Sequence, residues 1–223
     1  MLMTPVVTLD GPAGAGKSTV AKRLAARLDL SYLDTGALYR ALAFVLDRGG
    51  VLPAEGPELL RALEALQVDL REGRVWVGSE DVTEFLRSSR VDSVVSSYAA
   101  LPPVRERLLD LQRQQARSGG LVAEGRDMGT VVFPRASLKI FLTASDEERA
   151  RRRFEERRLR GEEVSMEVVR EGIRHRDGQD ASREVAPLRP AENAVLVATD
   201  GKTVDEVVEE IVTLFRKADC SSA

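Results

Sequence analysis

Nine residues near the N-terminus, Gly11-Pro12-Ala13-Gly14-Ala15-Gly16-Lys17-Ser18-Thr19, constrain this chain more than any other stretch. They fit G-x-x-x-x-G-K-[ST], a pattern whose chemistry works only between a strand and a helix. Both flanks suit it. Residues 5–9, Pro-Val-Val-Thr-Leu, read as a short buried strand, and Val20, Ala21, Leu24, Ala25 and Leu28 fall at helical spacing. Glycines let backbone N–H groups turn inward around an anion, and the helix start adds a partial positive charge. Lys17 is expected to reach the β- and γ-phosphates of ATP, and the Ser18 hydroxyl to face Mg²⁺. The loop from Gly11 to Thr19 is therefore the candidate cofactor site.

The whole chain sets limits around that loop. With 223 residues, 43% of them hydrophobic and 31% charged, it has the apolar content for one or two soluble domains. A net charge of −3 gives no general attraction to nucleic acid or to an anionic membrane surface. Of the 33 basic residues only five are lysine. Arginine suits bidentate phosphate contacts, although a bias in base composition accounts for it equally well. The single cysteine, Cys220, stands in a polar tail and makes no internal disulfide, which fits a reducing cytoplasm. His175 is the only histidine, so histidine triads and multi-histidine metal sites are excluded. No apolar run has the length of a membrane span, and the N-terminus lacks the basic and apolar regions of a signal peptide.

The pattern continues as strand 30–33, helix 37–48, then a break. A helix over 58–66, a hairpin over 68–77 turning at Glu72-Gly73, a third strand or helix cap at 81–83, and short helical pieces over 84–97 interrupt the alternation. Pro102-Pro103 precedes a helix over 104–117. Strands at 121–123, 138–142 and 194–198 alternate with helices from Asp146, over 166–180, and over 204–217. The last helix places Val204, Val207, Val208, Ile211, Val212 and Phe215 on one face. We expect an α/β fold with a five-stranded parallel sheet flanked by helices. The core spans 1–50 and 102–223 and carries an insertion over 51–101. Ligands of such sheets bind at the carboxyl ends of the strands.

Three further segments fall at those ends: Asp34-Thr35-Gly36-Ala37-Leu38-Tyr39-Arg40, Glu124-Gly125-Arg126-Asp127-Met128-Gly129, and residues 176–188 beginning Arg176-Asp177-Gly178-Gln179-Asp180. Each supplies arginine, and arginines converging near a phosphate loop suggest an acceptor that is itself a phosphate. At these segments the sequence resembles the bacterial cytidylate kinases, a family of P-loop nucleoside monophosphate kinases, over about residues 6–215. The stretch D-T-G-x-x-Y-R at 34–40, G-R-D-M-G-T-V-V-F-P at 125–134, and R-D-x-x-D-x-x-R-x-x-A-P-L at 176–188 carry the resemblance.

The resemblance implies the P-loop kinase fold, in which the insertion is the nucleoside-monophosphate domain and residues 149–165 form an Arg-rich lid. It implies that Thr35 and Arg40 help hold the base and acceptor phosphate. Ser96, Arg105 and Asp127 would read the cytosine edge, Arg126 and Arg183 would clamp the acceptor phosphate, and Arg176 and Asp180 would hold the ribose. Of the seven arginines between 149 and 160, Arg149 and Arg153 have the spacing of the lid pair that lies over adenine and on phosphate in related kinases. The rest suit a solvated helix face, since Glu147/Arg151 and Glu148/Arg152 have the supporting order. Gly161, Gly172 and Gly178 lower helix stability near the lid.

The implied reaction is transfer of the γ-phosphoryl group of Mg·ATP to CMP or dCMP, in pyrimidine nucleotide metabolism, with Lys17, Arg126, Arg183 and Arg153 bridging donor and acceptor. The acceptor oxygen is already anionic, so no general base is required. The residues agree: a carboxylate such as Asp127 accepts from the cytosine amine, where uracil has a carbonyl. Two other readings stay open here. A kinase acting on another acceptor would, for a hydroxyl, need a base such as Asp34 or Asp127. A nucleotide-binding switch would lack the second arginine-rich site. We expect a cytoplasmic monomer whose partners are small molecules.

Overall fold

The computed structural model describes residues 5–71 and 73–220; Glu72 of the expected hairpin turn and the tail residues 221–223 lie outside them. In chain order the first elements are β1 (Val6–Asp10), α1 (Lys17–Leu28), β2 (Ser31–Asp34), α2 (Thr35–Arg48) and α3 (Pro57–Ala65). Then come β3 (Val68–Arg71), β4 (Arg74–Val77), β5 (Glu80–Asp81), α4 (Ser89–Ala99) and α5 (Pro102–Gln114). The chain closes with β6 (Leu121–Glu124), β7 (Leu138–Thr143), α6 (Asp146–Leu159), α7 (Met166–Ser182), β8 (Val195–Ala198) and α8 (Val204–Cys220). It divides into two compact units, Met1–Leu33 with Gln115–Ala223, and Asp34–Gln114. The segment read from sequence as an insertion, 51–101, lies inside the second unit, which also takes in α2 and α5.

The expected five-stranded sheet is present, in the order β2-β6-β1-β7-β8. Strands β1, β6 and β7 are almost wholly buried, as central strands must be when helices cover both faces. Parallel pairing sets Val7 beside Val122 and Leu138, and Ile140 beside Val195. The same register aligns Leu9 with Glu124, so the loop leaving β1 and the segment leaving β6 start side by side. Leu9, Ala21, Leu24, Ile140, Leu142, Val207, Ile211 and Val212 share one core, with Val204 and Phe215 packed at its margin. The stripe read on the last helix is therefore its buried face. Helices α6 and α7 pack through a small separate core of Ala150, Val169 and Ile173, joined by Phe154, Val164 and Met166.

The second unit is built on α2, which packs against α4, α5 and the antiparallel sheet β3-β4-β5. Leu38, Leu42 and Leu46 of α2 are fully buried, as are Val91 and Tyr98 of α4. Residues 81–83 are both things the sequence allowed. Asp81 ends a third strand, and its Oδ1 then accepts the N–H and hydroxyl of Thr83 at 3.0 and 2.6 Å, turning the chain into a 3₁₀ turn. The pieces expected over 84–97 are that short turn and the single helix α4, capped by the Ser88 hydroxyl. Helix α5 starts at Pro102, two residues before its expected start, because proline's fixed φ and missing N–H suit a first helical turn. Trp76 stays on the hairpin, with Arg71 over its ring at 5.4 Å.

Candidate active site

The loop after β1 has the backbone its glycines predict. Gly11, Gly14 and Gly16 have φ of 145°, 77° and 87°, in the region that side chains disfavour. A Cβ on Gly11 would stand 2.2 Å from the Leu142 carbonyl oxygen, and one on Gly14 would stand 2.9 Å from that of Arg149. The loop is thus wedged against β7 on one side and α6 on the other. Gly16 caps α1, whose first residue is Lys17.

Lys17 is only 7% exposed, and its ammonium donates to the Pro12 carbonyl at 2.7 Å. Burial lowers its pKa to about 7, helped by the nearby guanidinium groups of Arg126 and Arg176 and resisted by Glu124 and Asp180. The Ser18 hydroxyl donates to Glu124 Oε2 at 3.0 Å, and the Tyr32 hydroxyl donates to the other oxygen of the same carboxylate. Glu124 is buried at the end of β6. It was visible in sequence only as the first residue of a motif, with nothing to mark its side chain as the partner of Ser18.

The segment after β6 swings into one wide helical turn, Met128–Val132, in which the Phe133 N–H reaches the Met128 carbonyl at 2.7 Å. Asp10, the last residue of β1, fixes that turn. Its two carboxylate oxygens accept the N–H groups of Met128 and Gly129, each at 2.8 Å. Burial raises the Asp10 pKa to about 6, held back by those two bonds. Asp127, buried at the start of the turn, is therefore set on a backbone anchored to the strand that carries the phosphate loop. The strand read from sequence ends at Leu9, one residue before Asp10, and its pattern gives no sign of this anchor.

Asp180 gathers three arginines of the first unit, Arg126, Arg176 and Arg183. Arg126 Nε donates to Asp180 Oδ2 at 2.8 Å, and Arg183 lies 3.9 Å from Asp180 Oδ1 while its Nε donates to the Asp180 carbonyl at 3.2 Å. Burial pushes the Asp180 carboxyl upward, but Arg126, Arg176 and Arg183 together outweigh it and hold its pKa below the usual value. Lys17, Arg126, Arg176, Asp180 and Arg183 thus form one electrostatic cluster, drawn from the phosphate loop and two of the three sequence segments; Arg40 of the remaining segment belongs to the second unit and pairs there with Asp92.

The two lid candidates are placed differently. Arg149 is buried, and its Nη1 donates to the Ala13 carbonyl at 3.0 Å while also pairing with Asp177. Arg153 pairs with Glu156 at 2.7 Å on the same helix. Arg152, read from sequence as part of a solvated face, keeps its expected partner Glu148 at 2.7 Å but is not merely a surface group: it donates to both the hydroxyl and the carbonyl of Thr199 at 2.9 Å, and that hydroxyl reaches the Ala15 carbonyl at 3.4 Å.

In the second unit Thr35 opens α2, behind the cap that Asp34 forms by accepting the Ala37 N–H at 3.0 Å. Arg40 donates to the Leu86 carbonyl at 2.9 Å and pairs with Asp92 at 2.6 Å. Arg105 donates to the Ala99 carbonyl at 3.0 Å, and its guanidinium lies over the Tyr39 ring at 5.4 Å. Ser96 is buried on α4. Tyr39 joins α2 to Arg105, which accounts physically for a tyrosine next to Arg40 in the motif. Among the described residues no helix is long and apolar enough to cross a membrane.

Known proteins resemble this chain. A cytidylate kinase of Pseudothermotoga lettingae is 43% identical over 95% of this chain and 95% of its own length. A bifunctional pantoate ligase/cytidylate kinase of Synechococcus elongatus is 48% identical over 95% of this chain, which spans only 42% of that longer protein. An uncharacterized protein of Eubacterium ventriosum shares the fold alone, with a TM-score of 0.53 at 11% identity, covering 95% of this chain and 98% of its own. The cytidylate kinase family model matches residues 7–217, almost from the first strand to the end of the last helix, and the chain belongs to that family.

Proposed function

We propose that the chain transfers the γ-phosphoryl group of Mg·ATP to a phosphate oxygen of CMP or dCMP. The bond from the γ-phosphorus to the β,γ-bridging oxygen breaks, a bond to the acceptor oxygen forms, and ADP and CDP or dCDP leave. The observation that carries this reading is the cluster of Lys17, Arg126, Arg176 and Arg183 around one buried carboxylate, Asp180. So many cations in a poorly solvated place are unfavourable: burial first, and then the Arg126 and Arg176 guanidiniums, lower the Lys17 pKa. Bound phosphates on donor and acceptor would relieve it, and more strongly as charge spreads onto the transferring group.

We assign the roles as the family resemblance implies them. The loop from Gly11 to Thr19 cradles the donor phosphates, with Lys17 on them. Arg126 and Arg183 hold the acceptor phosphate, Arg153 supplies further positive charge from α6, and Arg176 with Asp180 borders the ribose. Thr35, Arg40, Ser96 and Arg105 are the acceptor residues of the second unit, and Asp127 accepts from the cytosine amine. Arg149 serves the donor side through its bond to the loop. Mg²⁺ fits the donor set: the Ser18 hydroxyl with the Glu124 carboxylate behind it offers few protein ligands, as suits an ion held largely by substrate phosphates and water. When bound, it would neutralise charge on the donor phosphates. Glu124→Gln is expected to raise the Mg²⁺ concentration for half-maximal rate about 10- to 100-fold, the usual cost of losing a group that orients a metal ligand. An unchanged Mg²⁺ dependence would remove Glu124 from that role.

The deciding experiment is ADP release with Mg·ATP and a panel of CMP, dCMP, UMP, AMP, GMP and shikimate. CMP and dCMP should be preferred. Asp127→Ala should reduce discrimination against UMP by about 10- to 100-fold, the worth of one good base-edge contact. A different preferred acceptor, or the same discrimination in the variant, would overturn the acceptor assignment while leaving the phosphate loop in place. The reading makes the protein a small-molecule enzyme that needs no partner chain and works in the cytoplasm.

A further inference from the structure

One carboxylate outside the roles given so far touches the phosphate loop itself. Asp177 Oδ1, on α7, accepts the Ala13 N–H at 3.1 Å. The Ala13 carbonyl accepts Arg149 Nη1 from α6 at 3.0 Å, and that nitrogen also pairs with Asp177 Oδ2. Both backbone polar groups of one loop residue are therefore held from outside, by side chains of two different helices.

The grip has a physical purpose. Three glycines with positive φ give this loop many backbone states, and ordering them costs conformational entropy. A loop ordered before the nucleotide arrives does not draw that cost from the binding energy. Joining α6 to α7 does not by itself require a bond to Ala13, because Ala150, Val169 and Ile173 already pack the two helices together. Three residues further along α7, Asp180 faces Arg126 instead. Two carboxylates of this helix thus serve different ligands, Asp177 the donor loop and Asp180 the acceptor clamp.

We infer that Asp177 is a positioning residue for the donor nucleotide, fixing the Ala13 peptide so that the phosphate loop is ordered before ATP binds. The inference rests on the reading that this loop takes the ATP phosphates.

Calorimetric titration of Mg·ATP into the full chain tests it, with CMP titrated separately. Asp177→Ala should weaken Mg·ATP about tenfold, the scale of losing a hydrogen bond to a charged group, and change CMP affinity by less than twofold. Asp177→Asn keeps an acceptor for the Ala13 N–H but loses the charge facing Arg149, and should fall between. The Ala13 amide, followed by ¹H–¹⁵N NMR, should exchange slowly in the wild type and in Asp177→Asn. Unchanged Mg·ATP affinity, or equal weakening of both ligands, would overturn the inference. If Asp177→Ala does not fold, Asp177→Asn and the wild-type exchange rate decide, and a fast-exchanging Ala13 amide would overturn it. Donor binding is read directly, so a wrong acceptor assignment would appear in the acceptor panel and not in this titration.

Discussion

Lys17→Met should lower kcat about 10²- to 10³-fold, the cost of removing one preorganised charge from a transition state, yet leave the protein no less stable. The two halves of this result have one cause. In the folded chain the ammonium is buried beside Arg126 and Arg176, with the Pro12 carbonyl as its hydrogen-bond acceptor. Methionine fills similar space without a charge to desolvate, and such exchanges are often neutral or stabilising. The sign with pH is fixed by the pKa. Lys17 falls from 10.5 to about 7 on folding, so below pH 7 the folded state bears the full cost of the buried cation. Between 7 and 10.5 the unfolded state binds more protons, and this group makes stability rise with pH. The variant should therefore gain most in melting temperature, relative to wild type, below pH 7, and the gain should shrink by pH 9. Turnover and melting curves at both pH values check it. A variant within tenfold of wild-type kcat, or one that melts lower at both pH values, would refute it.

Asp180→Ala should be the most destabilising single change at the site. It removes the carboxylate that Arg126 bonds at 2.8 Å and that faces Arg183 and Arg176, all in a place with little water. Breaking a buried pair from one side costs about 3–5 kcal/mol, and for a chain of this size each kcal/mol moves the melting temperature by about 2–4 °C. A fall of about 6–20 °C is expected near neutral pH. Asp180→Asn, which keeps an acceptor for Arg126, should lose less. Because the Asp180 pKa lies below 3.8 when folded, its contribution is complete above pH 3.8 and is lost only as pH falls through the folded value. Wild type and Asp180→Ala should thus converge only in strong acid. A shift under about 2 °C at pH 7 would show that the three guanidinium groups find other compensation.

These two sites show what a sequence makes legible. The β1–loop–α1 unit is written almost completely in local pattern, because its glycines, its lysine and its flanking apolar runs each act on neighbours in the chain. The same holds for the α8 stripe and the β3–β4 hairpin. Side chains that act across the sheet are not written locally. Asp10 lies just past the strand read at 5–9, and only the fold of the sheet brings it to the N–H groups of Met128 and Gly129. Glu124 and Asp177 sit inside recognisable motifs, but motif spacing says nothing about which oxygen meets Ser18 or Ala13. In the arginine run, Arg149, Arg151 and Arg153 are chemically identical in sequence. Packing makes the first a buried support of the loop and leaves Arg151 at the surface between Glu148 and Glu155. Unit boundaries share this limit. Helical spacing in α2 and α5 shows a buried face without saying what covers it; the break in strand–helix alternation marks the insert at 51–101, and the compact unit Asp34–Gln114 contains that segment together with α2 and α5.

The wedge between the phosphate loop and α6 also bears on how this chain can drift. The atom nearest a Cβ on Gly14 is the carbonyl oxygen of Arg149, which every amino acid carries. A substitution at 14 therefore has no compensating side-chain exchange at 149, as a clash between two side chains would have. Relief requires the whole helix backbone to move, and with it the bonds that α6 makes to the loop and to α7. Position 14 is locked by main-chain geometry, so its tolerance should be independent of sequence changes elsewhere on α6, whereas the exposed arginines of that helix remain free to vary.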